Sequence, residues 1–154
     1  MKKLNLGCGT RPLPWHENVD IEEMPGVDIV HDLEKRPWPF ADEYADEITG
    51  VDIFEHVYDS TGFMRECTRI LKPGGILSLR TCYYKSENAY TDPDHKRFCT
   101  ERSFEYWVKG TEFNDYYGPA KALKASDGTL ILFEYVTGYP RLEGTELAVK
   151  MRRI

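Results

Sequence analysis

The chain has 154 residues, 41 % of them apolar, a formal charge of −6 and four cysteines. That length suits a single domain, residues 1–154, around one core, and that apolar share excludes a disordered chain. The acidic balance argues against nucleic acid as a partner, and no apolar run approaches the length of a membrane span.

The N-terminus enters a strand pattern at once, leaving no room for a leader peptide, so a cytoplasmic protein is expected. Cys8, Cys67, Cys82 and Cys99 show no paired spacing and read as reduced thiols. Lys3-Leu4-Asn5-Leu6 alternates apolar and polar residues and meets Gly7-Cys8-Gly9. This predicts a strand followed by a sharp turn, because glycine without a Cβ lets the backbone turn and approach a ligand. Thr10 to Glu17 carries Pro12 and Pro14 within the shortest connection that can join parallel neighbours. Proline breaks helix interiors, so the first helix is expected to be missing or a single turn, with Leu13 and Trp15 packing on the exposed sheet face instead.

Asn18 to Ile21 and Val27 to Leu33 predict a second and a third strand, each with an acid at its end (Asp20, Asp32). Trp38 and Phe40 follow in a loop, expected against the sheet. Asp46 to Val51 predicts a fourth strand running into Asp52-Ile53-Phe54-Glu55-His56. Ser60 is placed to cap a helix to about Leu71, whose stripe of Phe63, Met64, Cys67, Ile70 and Leu71 reads as core. Pro73-Gly74-Gly75 turns the chain into a fifth strand, Ile76 to Thr81. Residues 82–98 form a long polar loop, of the kind that serves as a lid. A short helix from Thr100 to about Lys109 and strands at 130–136 and 146–152 complete the chain. The fold class is therefore α/β: a Rossmann-like, doubly wound, mostly parallel sheet with antiparallel C-terminal edge strands and a truncated or missing first helix.

In order, LNLGCG, VDI, HDL, EH and LKPGG resemble the class I S-adenosylmethionine-dependent methyltransferases. The likeness is strongest to their small bacterial and phage-type branch (methyltransferase type 11-like) and covers roughly residues 2 to 110. The resemblance implies S-adenosylmethionine as cofactor and methyl transfer to an unidentified acceptor, a small molecule or sugar. It implies that Asn5, Gly7, Cys8 and Gly9 form the cofactor turn. Asp20, beside Ile21, would accept from the two ribose hydroxyls, since a carboxylate accepts two hydrogen bonds side by side. Asp32 would accept from the adenine amino group while Leu33 covers the ring. Glu55 and His56 would lie by the methionine end of the cofactor. His95 and His56 are the candidate general bases, and Tyr83 and Tyr84 are candidate substrate contacts. Two readings stay open for His95, a base or a partner of Asp92 that fixes the loop, and His56 reads equally well as a packed loop histidine. No metal is implied, because no ligand-like spacing stands out.

Two rival readings remain. One is a non-catalytic protein of this fold, a cofactor-binding or interaction module whose under-covered sheet face makes a homodimer or a heterocomplex. The other is a nicotinamide oxidoreductase, disfavoured because a pyrophosphate needs helix N-terminal donors and position 12, where a third glycine is expected, is Pro.

Overall fold

The computed structural model describes residues 1–121, 123–124, 130–131 and 133–154. Its central sheet starts with β1 (Lys3–Leu6), β2 (Glu17–Asp20), β3 (Ile29–Val30) and β4 (Ala45–Val51). Helix α1 (Ser60–Ile70) leads directly into β5 (Leu71–Cys82). After it come a single turn α2 (Asn88–Thr91), α3 (Glu112–Lys121), a separate hairpin β6 (Leu123–Lys124) with β7 (Leu130–Ile131), then β8 (Phe133–Tyr135), β9 (Arg141–Glu143) and β10 (Glu146–Arg153). Spatially the order is β3-β2-β1-β4-β5-β10-β8, with β9 also paired to β10. The first five strands run parallel, and β10 and β8 close the edge antiparallel. The expected mostly parallel sheet, its antiparallel C-terminal edge and its missing first helix are all present.

Period-2 alternation decides the two faces. In register, Leu6 of β1, Gly50 of β4, Leu79 of β5 and Val149 of β10 share one face. Leu4, Ile48, Leu77 and Met151 form the next row, all fully buried. The stripe read from α1 is core as expected: Phe63, Met64, Cys67 and Ile70 join this cluster with no exposure. Each such apolar side chain contributes roughly 1.5–3 kcal/mol relative to leaving it in water. Trp38 and Phe40 are also buried, and Trp38 meets Phe63 edge-on at 5.3 Å between centroids.

Four local expectations are corrected. The α1 cap is Asp59, whose carboxylate accepts from the Gly62 N–H at 2.8 Å, one residue before Ser60. Pro73-Gly74-Gly75 lies inside β5, where the ladder passes from Ala45–Leu71 to Glu47–Ile76 and the extra residues bulge, with Gly74 at φ 81°. Residues 101–107 form turns and a 3-10 segment (Glu105–Trp107) in place of a helix from Thr100. Phe104, Trp107 and Val108 are buried all the same. The strand expected over 130–136 is divided between β7 and β8, with residue 132 outside the described residues, and α3 was not anticipated.

No helix follows β1, β2 or β3. The face opposite α1 carries Lys3, Glu47, Ser78, Arg80, Lys150 and Arg152, and ion pairs run along it: Lys3–Glu47 at 2.9 Å, Arg80–Glu146 at 2.6 Å and Arg152–Glu134 at 3.0 Å. Trp15 does not cover it: its side chain is 94 % exposed, and its backbone takes a left-handed φ of 65° that turns it outward.

One buried carboxylate ties the loop before β4 to α1. Glu66 accepts from the Trp38 N–H at 2.7 Å and pairs with Arg69 at 2.7 Å. Burial alone raises its pKa, but the Arg69 and Trp38 hydrogen bonds outweigh it and hold the carboxyl below its usual range. A depressed folded pKa means stability is present above the unfolded value of about 4.3 and is lost as pH falls through the folded one. Glu66→Gln should lower stability by about 1–2 kcal/mol, because Arg69 is partly solvated. Urea unfolding at neutral pH and at pH below about 4 checks this: the wild-type advantage should shrink in acid.

Candidate functional site

The turn after β1 is held without a helix. Gly7 and Gly9 are left-handed, at φ 62° and 50°. A Cβ on Gly7 would sit 2.7 Å from Ile53 Cδ1, so only glycine fits there. The Gly9 N–H donates to Asp20 Oδ2 at 2.7 Å, and the Cys8 N–H to the Val19 carbonyl at 3.1 Å. Asn18 organises the connection between the turn and β2. Its Oδ1 accepts from Leu13 N–H at 2.8 Å and from Asn5 Nδ2 at 2.9 Å, and its Nδ2 donates to the Leu13 and His16 carbonyls. These bonds satisfy backbone groups that a helix would otherwise have paired.

At the far end of β4, Asp52 adopts a left-handed φ of 54° and its N–H donates to the Arg80 carbonyl. Aspartate tolerates this conformation better than most side chains. The 3-10 turn Phe54–His56 follows, and with three residues per turn its side chains leave in three directions. Phe54 enters the core against Phe63 and Phe104. Glu55, fully buried, accepts from Thr81 Oγ1 at 2.9 Å and the Cys82 N–H at 3.1 Å. His56 faces the site.

Two cavities meet at His56. The first, about 130 Å³, is lined by Gly7, Asp20, Ile21, Asp32, Leu33 and His56, with His31, Glu34, Ile53 and Val57. Asp32 accepts from the Glu34 N–H at 3.0 Å and lies 3.5 Å from Lys35, which together hold its carboxyl below the ordinary range. The second, about 520 Å³, is lined by Glu55, His56, Asp92 and His95 together with Asp52, Cys82, Asn88, Thr91 and Glu146. Six of the residues singled out in the sequence thus share the first cavity, and three (Glu55, His56, His95) share the second. Asn5 and Cys8 line a different pocket with Arg11, Leu13, Val51 and Arg80, and Gly9 lines none of these three. Tyr83 donates to Glu101 at 3.0 Å, and neither it nor Tyr84 lines the second cavity.

The loop 82–98 brings His95 to His56, their ring centroids 4.8 Å apart. His95 is fastened: its Nδ1 lies 3.0 Å from the Ala89 carbonyl and its Nε2 3.9 Å from Asp92 Oδ2. The Lys96 N–H donates to the Glu55 carbonyl at 2.7 Å, pinning the loop to the end of β4. Sequence reading gave no role to His31, although it stands in the HDL motif, or to Ile53, and missed Asp92 as a wall of the cavity. Its i,i+3 spacing to His95 was the available signal.

Burial disfavours the thiolate form of all four cysteines. Burial, reinforced by Glu55, pushes Cys82 up to about 12, and burial pushes Cys99 up to about 11. Burial raises Cys8 and Cys67 as well.

A family profile described as Methyltransferase domain matches residues 14–79. Over 58 residues the chain is 38 % identical to a probable S-adenosylmethionine-dependent methyltransferase of Mycolicibacterium smegmatis, a match covering 37 % of this chain and 22 % of that protein. A SAM-dependent methyltransferase structure from Thermotoga maritima superposes with a TM-score of 0.62 at 19 % identity, covering 98 % of this chain and 81 % of that one. Another, from Aquifex aeolicus, gives 0.59 at 14 % identity over 100 % of this chain and 82 % of that one. A third, from Mesorhizobium loti, gives 0.56 at 15 % identity over 99 % and 90 %. The fold is that of the class I S-adenosylmethionine-dependent methyltransferases. Among the described residues, no helix is long and apolar enough to cross a membrane.

Raised thiol pKa values have a measurable consequence. In the unfolded chain these groups ionise near about 8.5, so their contribution to stability is held below that pH and declines as pH rises towards the folded values. At neutral pH the native protein should resist iodoacetamide and the urea-unfolded protein should take four labels, as counted by intact-mass spectrometry.

Proposed function

We propose that this protein transfers a methyl group from S-adenosylmethionine to a small-molecule or sugar acceptor held in the second cavity. The observation that carries the reading is the pairing of Asp20 and Asp32 in one cleft that joins, through His56, a cavity containing His95. The first cleft fits the nucleoside in chemistry. Two carboxylates offer acceptors to hydroxyl and amino donors, Ile21 and Leu33 offer apolar cover to a ring, and Gly7 leaves the floor bare. The turn that would have to grip a dinucleotide's pyrophosphate has no helix N-terminus behind it, which favours a phosphate-free nucleoside.

Asp20 and Asp32 would hold the two ends of the nucleoside, and Gly7 and Ile53 would form the wall between them. The bound cofactor supplies an electrophilic methyl carbon on a positively charged sulfur. The work left to the chain is alignment and the exclusion of water. The 82–98 loop, pinned to Glu55 through Lys96, closes the acceptor side. With its Nδ1–H donated to the Ala89 carbonyl, His95 presents the Nε2 lone pair, and His56 stands beside it at the junction. Both are Lewis bases positioned on the side where an acceptor proton must leave.

Calorimetric titration with S-adenosylhomocysteine and with NAD tests the cofactor assignment. The thioether should bind and Asp20→Ala should weaken it roughly 10- to 100-fold, as expected for losing a half-buried charge-assisted acceptor. Tight binding of NAD alone, or unchanged affinity in Asp20→Ala, would overturn the reading. Label from methyl-labelled cofactor should pass to a component of an acceptor pool, whereas binding without any transfer would identify a cofactor-binding module instead.

A further inference from the structure

The second cavity gathers more electron-pair donors than one proton can satisfy. His56, Asp92 and His95 each offer a ligand atom within 4.8 Å of the others, and Glu55, Cys82 and His95 form a second such set sharing His95. The two sets come from three separate stretches: the end of β4, the end of β5 and the loop after α2. Among the described residues neither Glu55 nor Asp92 has a Lys or Arg partner, while the other two carboxylates of the cavity are taken, Asp52 by Arg11 at 2.8 Å and Glu146 by Arg80 at 2.6 Å.

His95 is oriented as metal ligands are. A ligating imidazole almost always donates its other ring N–H to a carboxylate or carbonyl, which fixes the tautomer and the ring plane. Nδ1 of His95 lies 3.0 Å from the Ala89 carbonyl, which can only accept, so in the neutral imidazole the lone pair is on Nε2, 3.9 Å from Asp92 Oδ2, itself an acceptor. Two acceptors facing each other leave room for a cation between them. A divalent ion here would face the Asp92 and Glu55 carboxylates, neither of which has a Lys or Arg partner among the described residues.

We propose that His56, Asp92 and His95 bind a first-row divalent cation of the zinc class, with Glu55 and Cys82 within reach as further ligands. Two imidazoles, a carboxylate and a thiol select such an ion over magnesium, which prefers oxygen ligands. Tetrahedral zinc with bonds of about 2.0–2.1 Å sets its donors roughly 3.4 Å apart, so the side chains draw inward on binding. The ion leaves a position open towards the cavity. For its use in catalysis the proposal rests on the methyl-transfer reading. With the ion bound, His56 and His95 would serve as its ligands instead of as proton acceptors, and an acceptor hydroxyl at the open position would become more acidic and give its proton to solvent. Its oxygen then bonds to the methyl carbon as the carbon–sulfur bond breaks, leaving a neutral thioether.

Equilibrium dialysis with Zn2+, and Co2+ titration followed by visible absorption, test the site directly without cofactor or acceptor. One equivalent per chain is expected, with a tetrahedral Co2+ spectrum and no displacement by excess Mg2+. His95→Gln and Asp92→Asn should each weaken Zn2+ about ten-fold or more, and His16→Gln, at a histidine that does not line the cavity, should not. Asp92 has a half-exposed side chain, so its amide variant keeps the fold. Absent or non-stoichiometric binding, or binding retained in both His95→Gln and Asp92→Asn, would overturn the proposal. S-adenosylhomocysteine titration of the same samples reads the cofactor cleft separately: Asp92→Asn should lose the metal and keep the thioether, while loss of thioether binding in every sample would sink the methyl-transfer reading alone.

Discussion

The hydrogen bond from the Gly9 N–H to the Asp20 carboxylate does the job that a helix does in larger sheets of this kind. It joins the turn after β1 to the tip of β2 at 2.7 Å and fixes the carboxylate at the cleft. It works only because Gly7 and Gly9 take left-handed backbones and because Asn18 satisfies the loop between them and β2. A charge-assisted acceptor is worth about twice a neutral one, so a single carboxylate can anchor a segment that has no regular structure of its own.

The same economy of chain recurs at the other edge of the site. Four consecutive residues after Asp52 serve four surroundings: Ile53 walls the first cavity, Phe54 joins the aromatic core, Glu55 ties β4 to β5, and His56 stands between the cavities. A longer α-helix would carry successive side chains around one axis at 100° steps and leave gaps between these roles. The short 3-10 turn, entered through a left-handed aspartate, sends them apart at once.

Stripping the helices after β1, β2 and β3 has a cost in exposed sheet, and the composition of that face answers it. Where a doubly wound fold would be apolar on both sides, these strands alternate cleanly, with leucines towards α1 and Lys3, Glu47, Arg80 and Arg152 outward. Individual surface pairs contribute little to stability, about 0–1 kcal/mol each, but they keep a broad sheet face wetted and charged. Among the described residues, the alternating strands thus give the sheet an apolar face towards α1 and a charged face away from it.

The sequence by itself determined the parallel core strands, the buried stripe of α1, the helix-free first crossover and the acids at the strand tips. All of these are local: a period of two or 3.6, a pair of prolines, a glycine turn. Tertiary structure decided which acids share a cleft and that Asn5 and Cys8 face a different pocket from Asp20. It also decided that Trp15 is outside and that residues 101–107 form turns and a 3-10 segment where a short helix from Thr100 was expected. It alone put Asp92 and His95 against Glu55, His56 and Cys82, because those donors lie on separate strand ends and a loop, and no pattern in the chain encodes a distance between segments that meet only when the sheet has formed.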